Sequence, residues 1–189
     1  MRRFATTALC LALPMAAAAQ DQTKPTPPPP RHVAVATIAP RPDDVATIDG
    51  IVKAYYDVVS GPAGKPREWA RDRTLYIADL RFVAVGYDKE GKPRPRITTH
   101  QEYVDASDSM ADTGFFEKEV HRVTERFGPI AHVWSTYESR RTENGPVIMR
   151  GINSIELFWD GQRWWIANAI WTDETKDNPI PKEYLPAEK

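Results

Sequence analysis

The sequence predicts an α+β domain in which helices come first and a curved, mostly antiparallel sheet follows. Three observations point there. Apolar residues recur at three- and four-residue spacing between Asp43 and Val59. Thr99 and Glu102 stand at capping-box spacing ahead of a further helical pattern. From Phe115 to Thr172 the period drops to two, interrupted only by glycine-containing turns. Helices followed by a meander, instead of helices alternating with strands, separate this class from a parallel α/β sheet.

The elements follow in order. The stretch "MRRFATTALCLALPMAAAAQ" has a positive start at Arg2 and Arg3, an apolar run, and small residues ending in an Ala-x-Ala site. It predicts a cleaved leader over residues 1–19 and a periplasmic or secreted protein. The run is short and Pro14 interrupts it, so no retained membrane span is expected. Cleavage near Ala19 removes Cys10, the only cysteine, so disulfides and cysteine metal sites are excluded. It leaves 23 basic against 26 acidic residues, a net charge of −3, which gives no footprint for nucleic acid or anionic lipid.

Residues 20–42 carry a proline run that favours extended structure and reads as a linker; "HVAVATIA" within it alternates. The globular domain is expected over 43–176 and a tail over 177–189. "DDVATIDGIVKAYYDVVSGP" is a helix with Val45, Ile48, Val52, Tyr55 and Val59 on its inner face, acids at its start and Gly61-Pro62 at its end. "KPREWARDRTLYIADL" predicts a shorter helix with Pro66 in its first turn and Trp69, Arg73 and Tyr76 inward. "RFVAVGYDKEGKPRPRI" reads as strand, turn and strand. The third helix, opening at Thr99, buries Tyr103, Val104 and Ser107. "FFEKEVHRVTERF", "IAHVWSTYESRRT", "RGINSIELFW" and "RWWIANAIWT" are four strands.

The last two enclose Asp160-Gly161. A two-residue hairpin loop there pairs Trp159 with Gln162, Leu157 with Trp164, Ile155 with Ile166 and Asn153 with Asn168 on one face. Both faces are apolar. One is expected to cover the helices and the other a second subunit, the N-terminal linker or the C-terminal tail.

"LYIADLRFVAVG", "FGPIAHVWSTYES" and "RGINSIELFWDGQRWWIANAIW" resemble the helix-to-strand junction, the turn-plus-Ala strand and the closing hairpin of the NTF2-like superfamily, in particular its SnoaL-like and exported bacterial branches. The resemblance covers residues 43–174. It implies a cone: three N-terminal helices wrapped by a curved sheet, a pocket between them, and a homodimer through the outer sheet face. It implies no activity, because this fold hosts isomerases, dehydratases, cyclases, hydrolases and binding proteins. None of the family's Asp, His and Tyr constellations matches this sequence residue by residue.

Candidate site residues are therefore weighed from the sequence. Asn153 and Asn168, amides among Ile, Leu and Trp, are ligand-binding candidates, since buried amides need partners. Tyr55, Trp69, Tyr103 and Tyr137 are candidates for an aromatic pocket wall, with ordinary core as the alternative for the helical ones. His121, with Glu119 and Glu125 on its side by alternation and Thr136 opposite it, is a candidate general base; a solvated strand face is the alternative. Asp79 is a second candidate base or a turn residue. Arg140, Arg141 and Arg150 suit an anion or a solvated hairpin end. "GPAGK" has the wrong spacing for a phosphate loop, and the four histidines lack metal-ligand spacing, so neither a metal nor another cofactor is expected. Three readings stay open: a module binding a small, largely apolar or aromatic molecule; a cofactor-independent isomerase, dehydratase or hydrolase; and a structural or partner-binding dimer.

Overall fold

A computed structural model describes residues 32–187. The leader and the proline run lie outside the described residues. Three short helices, two strands, two further helices and four long strands follow one another in an α+β arrangement. The helices are α1 (Pro42–Val45), α2 (Ile48–Asp57), α3 (Trp69–Arg73), α4 (His100–Ser107) and α5 (Met110–Thr113). The strands are β1 (Arg81–Tyr87), β2 (Pro93–Thr99), β3 (Phe116–Phe127), β4 (Ile130–Arg140), β5 (Val147–Trp159) and β6 (Trp164–Asp173). They form one curved, unclosed sheet in the order β2-β1-β6-β5-β4-β3, antiparallel throughout except where β1 meets β6.

The expected first helix is broken in two. Thr47, not Asp43 or Asp44, caps α2 by accepting from the Gly50 amide. Asp44 is instead buried and takes two hydrogen bonds from Arg71, each 2.7 Å. The second helix is shorter than its sequence pattern. After Arg73 the chain leaves the helix and Tyr76 bridges Ile166 of β6, because Leu75, Tyr76 and Leu80 are buried by the sheet. At Thr99 the capping box forms as expected. The alternating "HVAVATIA" makes no strand. It runs extended over α4, with the Val33 amide and carbonyl held by Asp105 and Gln101, and Val33 and Val35 packed on the core.

Of the sheet's three register shifts, one lies at Ser139–Arg140 near the end of β4 and two move candidate site residues. One of these two lies between Glu156 and Leu157 and their partners on β6, where Ala167 is the residue without a partner. The hairpin loop is also longer than two residues, since Trp159 pairs with Trp164 and Asp160 Oδ1 accepts the Gln162 and Arg163 amides. Consequently Leu157 pairs with Ile166, Ile155 with Ala169, Asn153 with Trp171 and Asn168 with Glu156. Inserting one residue sends every later side chain to the opposite face, so Asn153 and Asn168 do not meet. The other bulge lies between Glu119 and His121. His121 pairs with Thr136 and Glu125 with His132, as alternation predicts, but Glu119 is separated from them and shares the face of Tyr137.

The inner face carries Val133, Tyr137, Asn153, Ile155, Leu157, Ile166 and Ala169 against α2 and α4, all buried. Part of the outer face is covered by the chain's own tail. The Thr136 hydroxyl donates to the Tyr184 carbonyl, Tyr184 lies 5.7 Å from Trp134, and Ile180 is buried. Beside the tail an apolar row, Ile97–Val83–Ile170, crosses three strands, with Ile97 64% exposed.

Candidate functional site

Between α2, α4 and the inner face lies a cavity of about 180 Å³. Its walls are aromatic because helix and strand periods both aim rings inward: Tyr55 from α2, Tyr76 after α3, Phe82 from β1, Tyr103 from α4 and Trp171 from β6, with Phe115 at the start of β3. The rings hold one another. Phe82 sits 4.6 Å from Tyr103 and 5.1 Å from Tyr76, and Tyr103 meets Trp171 edge-on at 6.1 Å. Larger hollows, among them one beside Thr47 and Trp164 and one between the outer face and the tail, open more widely to solvent.

Few polar groups converge on the interior. Glu117 on β3 is one, and its carboxylate accepts from the Ser139 hydroxyl at 2.9 Å. Burial pushes the Glu117 carboxyl up to about 7; the Ser139 bond opposes this and the negative charge of Asp173 adds to it. Tyr137 reaches across the sheet and donates to Asp173 at 2.5 Å. Asn153 is held at both ends, accepting from the Tyr55 hydroxyl at 3.1 Å and donating to the Tyr56 hydroxyl at 3.0 Å. Tyr56 continues to Ser135 at 2.6 Å, and Ser135 donates to Glu119, which Arg122 grips. This network fixes the α2 side of the cavity to three strands. Desolvation raises the Tyr55, Tyr56, Tyr103 and Tyr137 hydroxyls above their ordinary range, so they act as neutral hydrogen-bonding groups.

The structure brings together four of the sequence candidates: Tyr55, Tyr103, Tyr137 and Asn153 all line the cavity. The other four lie elsewhere. Trp69 is buried beside the cavity wall, 6.2 Å from Tyr103, with its indole N–H on Asp108. Asn168 pairs with Glu156 next to the bulge, and its Oδ1 is buried without a partner among the described residues. His121 shares the outer face with Thr136, whose hydroxyl meets the tail, so it does not reach the cavity. Asp79 is exposed in the turn before β1.

Glu117 was not legible as a site residue. In "FFEKEV" it sits beside Lys118 and Glu119, a pattern that reads as a solvated strand. Asp72 was missed for the opposite reason, standing amid the charges of "ARDR". It is fully buried, accepts from the Tyr76 hydroxyl at 3.1 Å and pairs with His100 Nε2 at 2.8 Å. That pair lies behind Tyr76 and braces the wall without facing the interior. Among the described residues no group of His, Cys, Asp and Glu is arranged to hold a metal ion.

The fold is similar to those of several solved structures. The beta subunit of a proposed aromatic-ring-hydroxylating dioxygenase from Novosphingobium aromaticivorans superposes with a TM-score of 0.54 at 14% identity, over 71% of this chain and 95% of that one. A Mycobacterium tuberculosis protein of unknown function gives 0.53 at 14% identity, over 74% and 78%. An NTF-2-like protein of unknown function from Silicibacter pomeroyi gives 0.46 at 16% identity, over 68% and 94%. The fold is NTF2-like. At these identities the likeness concerns the fold and not the chemistry. No family model matches the sequence, and no curated protein matches it.

Proposed function

We propose that this chain is an exported NTF2-like binding protein that holds a small, largely apolar or aromatic molecule in its cone. One observation carries the reading: the cavity of about 180 Å³ is walled by seven rings, with only a few fixed polar groups inside. Such a composition, mostly apolar with a few oriented donors and acceptors, is that of a small-molecule site. Its size suits a compact ligand, since the volume corresponds to about six water molecules. The N-terminal leader pattern supports export to the periplasm or beyond, and the Ile97–Val83–Ile170 row supports a homodimer through the part of the outer face that the tail leaves open.

A second reading has a specific observation behind it. A carboxyl pushed up to about 7 inside an aromatic cavity is suited to moving a proton at neutral pH, so a cofactor-independent isomerase, dehydratase or hydrolase would use Glu117 as its base. His121 and Asp79, on the outer face and in an exposed turn, are not placed to share that work.

Native mass spectrometry of the chain recovered from the exported fraction, with the denatured mass alongside, tests the first reading. Extra mass that vanishes on denaturation, and that Asn153→Leu reduces, is the expected result. A chain that carries no added mass and takes up no apolar probe would overturn it. Turnover of any captured compound, lost in Glu117→Gln, would favour the second.

A further inference from the structure

The cavity has an electrostatic imbalance that an apolar ligand leaves in place. Glu117 faces it, and Asp173 stands behind Tyr137 close enough for its charge to act on Glu117. Neither carboxylate has a Lys, Arg or His within ion-pair distance among the described residues. Each is held only by a hydroxyl, Ser139 for Glu117 and Tyr137 for Asp173. Both carboxylates are partly buried, and an ionised carboxylate that a ligand cuts off from water needs a counter-charge, which neither has built in.

The walls supply a second, independent preference of the same sign. Ring faces carry negative potential and attract cations, most strongly where water is excluded. The one basic side chain lining the cavity is Arg96 of β2; it is exposed, so solvent screens part of its charge, but that charge still reaches the Tyr103 hydroxyl. Arg96 apart, the charge of Glu117 and the faces of the rings that line the cavity favour positive charge.

We propose that the cone takes a small ammonium compound, its positive centre set against Glu117 and its alkyl groups against the rings of Tyr55, Tyr103 and Trp171. This rests on the reading of the cavity as a ligand site and narrows the ligand to a cation. The groups facing Glu117 are Tyr55 and Tyr56 from α2, Tyr103 from α4, Tyr137 and Ser139 from β4, and Asp173 from β6, while Arg96 of β2 lines the same cavity. The tyrosines stay neutral well above pH 7, so cation binding strengthens as Glu117 loses its proton through about 7.

Isothermal titration of the full mature chain with two probes tests this: choline, and 3,3-dimethyl-1-butanol, its uncharged carbon isostere. Choline is expected to bind about tenfold tighter or better at about pH 8.5, with a smaller advantage at about pH 5.5. Glu117→Gln is expected to abolish the advantage. Equal binding of the two probes by the unaltered protein would overturn the cation inference while leaving the cavity a ligand site. Binding of neither would overturn both. A choline preference that survives Glu117→Gln and does not vary with pH would place the charge recognition elsewhere and overturn the role given to Glu117. The comparison of probes needs no variant, so it stands even if the substitution impairs folding.

Discussion

Tyr137 donates its hydroxyl to the Asp173 carboxylate across the bare backbone of Gly151. The three residues lie in one row over β4, β5 and β6, and only the lack of a side chain at the middle position lets the ring cross it. A Cβ on residue 151 would come within 2.5 Å of the Thr172 carbonyl oxygen and 2.6 Å of a Tyr137 ring carbon. The carbonyl belongs to the neighbouring strand and cannot swing away. Gly151→Ala is therefore expected to destabilise the fold by about 2 kcal/mol, read by urea unfolding. An unchanged midpoint would mean that Tyr137 has room to move and that this row is not tightly packed.

Glu117 ties stability to pH. Its folded value near 7 stands above the ordinary 4.5, so between those values the folded chain keeps a proton that the unfolded chain releases. Stability should fall as pH rises from about 4.5 to 7 and level off above, by at most about 3 kcal/mol. Glu117→Gln keeps the Ser139 hydroxyl partnered and removes the titration. The difference between the two unfolding curves, measured from about pH 5 to about pH 8, should therefore grow in favour of the variant as pH rises. A constant difference would show that the Glu117 carboxyl is not desolvated.

Asn153→Leu removes the acceptor of the Tyr55 hydroxyl and one of the two partners of Tyr56. Leaving a buried hydroxyl unpaired should cost about 2 kcal/mol in urea unfolding. The same substitution should weaken ligand retention, since Asn153 and Tyr55 both line the cavity. Loss of stability without loss of retention would restrict Asn153 to bracing α2.

His121→Ala, by contrast, touches the outer face beside Thr136. Stability should change by less than about 1 kcal/mol and probe binding to the cavity should not change at all. Any loss of binding in that variant would contradict the separation of the two faces.

Truncation after Asp177 removes Ile180 and Tyr184 and deprives the Thr136 hydroxyl of its acceptor. A loss of about 2–3 kcal/mol is expected, together with stronger binding of a hydrophobic dye to the uncovered groove. Unchanged thermal unfolding would show the tail to be a loose cover.

Interactions that close within a few residues were written in the sequence itself. The capping box of Thr99 and Glu102 needs three residues, and the inward row of Val52, Tyr55 and Val59 needs two turns of helix. The strand pairs His121–Thr136 and Glu125–His132 follow from one glycine turn counted outward. The order of these elements was enough to reveal an NTF2-like arrangement. The site was not legible in the same way, because it depends on two single-residue insertions in otherwise regular strands. The bulge after Glu119 turns Glu119 inward and His121 outward, and the bulge at Ala167 parts Asn168 from Asn153. A bulge leaves almost no mark on local alternation, yet it reverses the face of all that follows. Whether Glu117 met water or a ring of tyrosines was likewise decided by α4 and above all by α2, which ends at Asp57, far back along the chain. Local chemistry thus determined the elements, and only their packing decided which side chains share the cavity.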